Sequence, residues 1–366
     1  MPPGTQTAIV QSEASSSTSL PLTVSNTAPV PSLPSRFHVL VRVLAVALNP
    51  NDHKMITHFP MPGNIAGCDF CGVIETVAAE SGAALAFPMG TRVCGALFPY
   101  RPNDKHNGSF AQYVAADSRL LLKVPSYWSD LQAAALGGVG WSTLCLAFSD
   151  PEALSLQGTP SKPVEKKVPI LVYGGATATG TLACQLLALS GYTPIAVTSA
   201  ASEALAVEYG AAGTAQYTSP TCSETIRSLV KEPIRHALDC ITDAESAAIC
   251  FRAISRGGGR YACLEGFPEA WRTRRAIKVK EVMGFEILGV DVHLGDTTYT
   301  RSASEELFNI GKHWASEMQS LLNAGLVKTH PIREVQGQWE GIINGVAALQ
   351  RGEVRAEKLV VRLSAS

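Results

Sequence analysis

Charge is scarce in this sequence. Lys, Arg, Asp and Glu make up 17% of the 366 residues, and the formal net charge is −1. Without a run of Lys or Arg there is no electrostatic reason to bind nucleic acid. No uninterrupted membrane-length apolar run is found either. The longest apolar stretch, around Ile170 to Tyr192, is broken by Gly174, Gly175, Thr177, Thr179 and Gly180, which is too interrupted to span a bilayer. A basic start followed by an apolar stretch, the mark of a secretory signal, is missing from the N-terminus. The nine cysteines are an odd number scattered from Cys68 to Cys263, so they read as reduced thiols in a cytosol-like compartment, and a cytoplasmic location is expected. Residues Ser12 to Ser19 are rich in Ser and Thr and read as a surface loop.

Several chemistries lose their motif in the same way. Cys68-Asp69-Phe70-Cys71 is a lone CxxC with no second pair, and the eight histidines form no HExxH or HxxxH. Zinc needs about four ligands, so no metal site is expected and the CxxC reads as part of a strand. There is no Gly-x-Ser-x-Gly elbow and no P-loop, which leaves acyl and phosphoryl transfer without support.

What remains is a 46% hydrophobic chain long enough for two domains. The first part carries short β-like runs at Val39–Leu48, Gly72–Val77, Arg92–Ala96 and Phe110–Val114. A helix start follows at Ser129–Leu136, then a Pro- and Lys-bearing linker or surface excursion, Ser149–Lys167. From Val168 the pattern alternates. Apolar runs at Val168–Tyr173, Thr193–Thr198, His236–Ile241 and Gly259–Leu264 are separated by helical segments at Thr181–Ser190, Ala201–Tyr209 and Thr221–Leu229. Such alternation implies an α/β fold with a doubly wound parallel sheet, a Rossmann domain. Amphipathic helices at Glu305–Ala324 and Trp339–Arg351 and a last strand, Lys358–Leu363, do not continue the alternation. This tail is expected to pack back on the N-terminal half.

The central motif is Val172-Tyr173-Gly174-Gly175-Ala176-Thr177-Ala178-Thr179-Gly180, which joins a strand to a helix. Gly174 suits the tight turn, Gly180 suits close helix–strand packing, and the first helical amides suit a pyrophosphate. Thr177 stands where a middle glycine is usual. An ordinary βα turn without a ligand is the competing explanation. NAD-binding folds place an acid roughly 20 residues further on, to hold the ribose 2′-OH. Val197-Thr198-Ser199-Ala200 has none, so NADPH is favoured as cofactor, with Ser199 and Tyr217 available to its 2′-phosphate. Contact with water alone is the competing explanation for these hydroxyls, since no Arg or Lys adjoins Ser199. A second polar group, Asn49-Pro50-Asn51-Asp52-His53-Lys54, closes the strand Val39–Leu48. Lys54 suits a donor to the nicotinamide ribose or to a substrate carbonyl, although composition alone favours a polar turn with a solvated lysine.

Taken together these pieces resemble the medium-chain dehydrogenase/reductase superfamily on its zinc-free, quinone-oxidoreductase side. Within it they are similar to the fungal trans-acting enoyl reductases that serve polyketide synthases. The resemblance runs from about Val24 to Leu363. It is carried by Ala45 to Lys54, by Val172 to Thr179, by Ala237-Leu238-Asp239-Cys240-Ile241-Thr242, and by the C-terminal Gly352 to Leu363. It implies a GroES-like catalytic domain over residues 1–165 and 299–366, with the NADPH-binding Rossmann domain inserted at 166–298. By the same resemblance Asn51, Asp52, His53 and Lys54 line the nicotinamide side. Gly174, Thr177, Ala178, Thr179 and Gly180 hold the pyrophosphate, and Ser199 and Tyr217 face the adenosine phosphate. Leu264 lies by the nicotinamide and Lys358 approaches the cofactor. Ser142, Thr143, Gly289 and Val290 border the substrate, and Lys54 and Thr143 are the candidate catalytic residues.

The reaction implied is hydride transfer to the β-carbon of an α,β-unsaturated polyketide thioester held on the acyl carrier domain of a partner synthase. Competing readings are a free-standing quinone or alkenal reductase and a non-catalytic NADPH-binding sensor. Arg272, Arg274 and Arg275 are candidates for docking, set against the plainer reading of a solvated face. Glu286–Val292 would be the edge strand through which relatives dimerise, although its polar residues also suit a monomer. This sequence departs from the family pattern at Glu265-Gly266, at Val290 to His293 and around Gly137 to Trp141, so chain-length preference is not carried over.

Overall fold

The computed structural model describes residues 4–13, 20–78 and 87–363. Most of the Ser/Thr-rich stretch at 12–19 lies outside them. The chain divides into two compact units. One comprises Met1–Val139, Val290–Ala303 and Pro331–Ser366, and the other Gly140–Gly289 and Ser304–His330.

The first unit begins with an antiparallel pair, β1 (Thr5–Gln11) and β2 (Leu22–Pro29). Its main sheet is built on β3 (His38–Ala47), whose sequence HVLVRVLAVA is apolar at nearly every position. Such a run suits a strand flanked on both sides. It pairs with β4 (Asp69–Val77) and, after β5 (Arg92–Ala96), with β6 (Tyr113–Asp117). The expected strand Phe110–Val114 is therefore displaced toward the C-terminus. Phe110 and Ala111 are fully buried, but their amides bond to loop carbonyls of Ala66 and Ser109 rather than to the β3 ladder. The short β7 (Leu122–Lys123) completes one edge.

Before residue 139 this unit carries the helices α1 (Pro50–His58) and α2 (Asp130–Leu136). In α2, the expected helix start, Ser129 is the N-cap and Gln132 answers it in a capping box.

The second unit opens with α3 (Val139–Ser149), in which eight residues from Trp141 to Phe148 are buried. The stretch 130–149 is apolar enough to cross a membrane by length and composition, yet 78% of its window is buried in the fold, which is the behaviour of core helices. The parallel sheet follows. Its strands are β8 (Pro169–Tyr173), β9 (Thr193–Thr198), β10 (Gly213–Gln216), β11 (His236–Asp239), β12 (Gly259–Cys263) and β13 (Ile277–Glu281). Their order is β10-β9-β8-β11-β12-β13, and every pairing is parallel. The crossover helices include α4 (Ala178–Leu189), α5 (Glu203–Glu208), α6 (Cys222–Ser228) and α7 (Ala244–Ala253). All five residues of β8 are buried, as expected for a central strand covered by helices on both faces. Phe251, Tyr261 and Phe267 pack ring on ring in the core at centroid distances of 5.3 to 5.9 Å.

The long amphipathic helix α8 (Glu305–Asn323) belongs to this unit. Its Trp314 is fully buried and donates to Ser149 Oγ at 2.8 Å. The chain then returns to the first unit with β14 (Ile332–Glu334), α9 (Gln338–Gln350) and β15 (Lys358–Arg362), and β15 pairs with β3. Thus only part of the tail packs on the N-terminal half.

The compact units divide at 139/140 rather than 165/166 for a physical reason. Residues 149–167 are no free linker. Ala153 and Leu154 are buried, the Pro151 and Ala153 carbonyls accept from Arg260, and Glu317 of α8 accepts from Thr159 and Ser161. The expected edge strand Glu286–Val292 is also corrected. Gly284–Leu288 forms a 3₁₀ turn with Glu286 and Ile287 buried, and the sheet ends at β13.

Candidate active site

In the second unit the turn after β8 has the geometry its residues suggest. Gly174 sits at φ +74, a conformation that suits glycine. A Cβ on Gly180 would lie 2.1 Å from the Gly174 carbonyl oxygen, so the helix can pack this close only without a side chain there. Thr177 is the N-cap of α4, and its Oγ1 accepts from the Gly180 amide at 3.0 Å. Its hydroxyl is therefore already tied to the helix start. Ala178 and Thr179 follow in the first turn, half-buried. The partly positive helix start with a glycine turn beside it suits an anion.

At the end of β9, Ser199 is half-buried and donates to Ser202 Oγ at 3.0 Å. Tyr217, which follows β10, is 36% exposed, and its amide donates to the Thr198 carbonyl. Neither position carries an acid, so this end of the sheet suits a phosphate-bearing nucleotide.

The Leu264 amide, just beyond β12, donates to Thr242 Oγ1 at 3.1 Å. Ser142 and Thr143 lie buried in the second turn of α3. A Cβ on Gly284 would come 2.4 Å from Thr143 Oγ1. That glycine, which sequence reading overlooked, makes room for the hydroxyl. Gly289 ends the 3₁₀ turn at φ +64, whereas Val290 belongs to the first unit.

In the first unit Asn49 to Lys54 is not a polar turn but the start of a helix. Pro50 is the first residue of α1, a position where its missing N–H costs nothing. The Asn49 amide donates to Asp52 Oδ2 at 2.7 Å. Lys54 and His53 are half-buried on this helix. Asp52 is fully buried, and burial pushes its carboxyl up to about 7 against the opposing Asn49 hydrogen bond. Asn51 Nδ2 donates to Cys68 Sγ, while Asn51 Oδ1 and Asp52 Oδ1 are buried with no hydrogen-bond partner.

Beneath α1 lies a buried ionic knot centred on Asp69, whose exposure is 0%. Its Oδ1 accepts the amides of Gly138 and Val139 at 2.8 and 2.9 Å. Its Oδ2 accepts Asn49 Nδ2 at 2.9 Å and Lys358 Nζ at 3.2 Å. Lys358 also donates to Asn49 Oδ1. The ammonium expected to approach a cofactor is thus buried and engaged with Asp69 and Asn49. Sequence reading weighed Cys68-Asp69-Phe70-Cys71 for its thiols, yet the acid between them is the organising group. Both thiols are buried and pushed well above their ordinary range by burial.

Among the described residues no group of three or more His, Cys, Asp and Glu is placed to hold a metal. A surface hollow of about 510 Å³ in the second unit is lined by α8 residues, Glu305 and His313 among them, and by Ser149. It contains none of the candidate site residues named above. Of the docking candidates, Arg274 donates to the carbonyls of Phe251, Ile254 and Ser255 and so ties down the end of α7. Arg272 donates to the Ile277 carbonyl.

The Alcohol dehydrogenase GroES-like domain family matches residues 35–126. The chain is 60% identical over 365 residues to the trans-enoyl reductase calK of Penicillium decumbens, covering 98% of each chain. It is 55% identical over 367 residues to the trans-enoyl reductase sthE of Phaeosphaeria nodorum (strain SN15 / ATCC MYA-4574 / FGSC 10173), covering 100% of each. Among solved structures, an alcohol dehydrogenase superfamily protein from Novosphingobium aromaticivorans superposes with a TM-score of 0.75 at 21% identity, over 98% of this chain and 100% of the other.

Proposed function

For a chain that belongs to the trans-enoyl reductases and is an oxidoreductase acting on carbon–carbon double bonds, we propose NADPH-dependent reduction of an α,β-unsaturated polyketide thioester presented by the acyl carrier domain of a partner synthase. The observation that carries the cofactor choice is the end of β9. Ser199 and Ser202 place hydroxyls there, and residues 198–202 carry no carboxylate, the first acid being Glu203 in the next helix, so a 2′-phosphate at Ser199 meets donors rather than a like charge.

The residues present fit such a dinucleotide. Gly174, Ala178, Thr179 and Gly180 offer backbone to the pyrophosphate, and Thr177 shapes the helix start. Ser199 and Tyr217 take the adenosine phosphate, and Leu264 takes the nicotinamide side. NADPH, when bound, supplies the hydride that goes to the β-carbon. Negative charge then develops on the thioester oxygen as an enolate. Lys54, with Asn51, Asp52 and His53 around it on α1, and Thr143 on α3 are the donors assigned to hold the ribose and that oxygen. Ser142, Gly289 and Val290 are assigned to the acyl chain. Asp69 and Asn49 hold Lys358 in place, and through it the floor under α1. The α-carbon takes its proton from water or a hydroxyl. Positioning the enoyl group supplies much of the rate. The enzyme acts in the cytoplasm, where reduced thiols such as its nine cysteines persist.

The test is NADPH consumption by the purified protein with an α-methyl enoyl thioester, beside a simple quinone and an NADH control. NADPH-specific turnover of the thioester over the quinone is expected. Turnover of the quinone alone would show a free-standing quinone reductase. Nucleotide binding without turnover, even with the thioester loaded on a carrier domain, would show a sensor.

A further inference from the structure

The segment Ala237 to Thr242 marks the family but has no part in the assignments above. Asp239 ends β11 at the centre of the parallel sheet, level with Tyr173 of β8 and Cys263 of β12. Ligands of doubly wound sheets bind beyond the carboxyl ends of such strands. Asp239 is fully buried. Its Oδ1 accepts the amides of Ile241 and Thr242, both at 2.9 Å, and its Oδ2 accepts Ser246 Oγ at 2.6 Å and the Tyr261 hydroxyl at 2.7 Å. Every one of these donors is neutral.

What this carboxylate holds is a strained turn. Thr242 has φ +63, a conformation that β-branched residues rarely adopt. In that conformation its Oγ1 accepts the Leu264 amide. The same turn brings Ile241 and Cys240 against the nucleotide turn. A Cβ on Gly174 would lie 3.0 Å from Ile241 Cγ1 and 3.3 Å from Cys240 Cβ. Ile241 nevertheless stays 39% exposed, a large apolar side chain left open at the end of the sheet where a flat ligand would lie.

We propose that Asp239 is a positioning residue for the cofactor. It bends residues 240–242 into the left-handed turn that fixes the Ile241 side chain beside Gly174 and holds the Leu264 backbone through Thr242 Oγ1. The proposal rests on the nucleotide-binding reading above. Strain at Thr242 is then the consequence of a binding geometry, not of packing demands. Relieving that strain should separate binding from stability.

Three variants decide the matter, with NADPH dissociation constants from nucleotide fluorescence and melting temperatures without ligand. Thr242→Gly accepts φ +63 without strain but lacks Oγ1. It is expected to melt no lower than the parent while binding NADPH about tenfold more weakly. Tyr261→Phe removes a donor from the far oxygen of Asp239. It is expected to melt lower and to bind within twofold of the parent. Asp239→Asn is expected to lose both. A Thr242→Gly protein that binds NADPH like the parent would overturn the proposal, as would a Tyr261→Phe protein that loses as much affinity as Asp239→Asn. A parent protein that bound neither NADPH nor NADH would overturn the nucleotide reading itself, a distinguishable result.

Discussion

Asp69 in the first unit and Asp239 in the second are built alike. Each is fully buried, gives one oxygen to two consecutive backbone amides and gives the other to two side-chain donors. They differ in what closes the shell. Asp69 receives the ammonium of Lys358, 289 residues away. Asp239 receives only hydroxyls, from Ser246 seven residues on and Tyr261 twenty-two residues on. A buried carboxylate can thus be satisfied by a cation that ties chain ends together or by local neutral donors that shape one turn. Burial pushes the Asp239 carboxyl up, and its four hydrogen bonds oppose that shift. The ionic knot carries architecture over long range, and the neutral one carries local conformation.

Lys358→Met tests the ionic side hardest. It strands the buried Asp69 carboxylate with neutral donors alone, so stability in urea should fall by roughly 3–5 kcal/mol. Lys358→Met combined with Asp69→Asn should recover part of that loss, because no unpaired charge then remains. A single variant as stable as the parent would break the comparison, since the ion pair would then contribute nothing that its neutral counterpart lacks.

Lys54→Ala comes next and separates the helix from its floor. Removing a donor aimed at developing charge lowers turnover by about 10²-fold or more, and Lys54 is half-buried rather than part of the core. Turnover should fall while the urea midpoint stays near that of the parent, whereas Lys358→Met should lower both. Unchanged kinetics in Lys54→Ala would remove this residue from the mechanism.

Asp239→Asn should cost less than Lys358→Met, about 1–3 kcal/mol, because it leaves a mismatched hydrogen-bond donor but no stranded charge. Equal losses for the two variants would show that the charge of Lys358 is immaterial and would reduce the two knots to one kind.

The same contrast explains how much was legible beforehand. The parallel sheet could be read because apolar runs such as Val168–Tyr173 alternate with helices over short distances, and Gly174 and Gly180 announce their backbone demands. The helix start at Ser129–Leu136 could be read as well, and α2 begins there. Interactions that close over long stretches of chain could not be read this way. Nothing near Asp69 points to Lys358, and the resemblance sends Lys358 toward the cofactor rather than to Asp69. α1 was missed because Asn49-Pro50 reads equally as a turn. Its nine residues are helical through capping by Asp52 and packing against α9, contacts that a local pattern does not contain. The edge of the sheet was misplaced because Glu286–Val292 has strand-like residues, whereas Gly284 and Gly289 turn it into a 3₁₀ segment.

The smallest effect tests whether an unshared carboxyl differs from both knots. Asp52 is buried beside Asp69, accepts from Asn49 through Oδ2 and leaves Oδ1 without a partner. Burial is the main cause of its rise to about 7. A carboxyl held above its unfolded value binds its proton more tightly when folded. Its contribution therefore favours the folded state at low pH and is lost as pH rises from about 4 toward 7. Asp52→Asn has no proton to lose there. Urea midpoints taken at pH 5 and pH 7.5 should fall between the two for the parent and fall less for Asp52→Asn. Equal falls would place the titrating group elsewhere, and a parent that gained stability over this range would mean that the carboxyl stays ionised despite its burial.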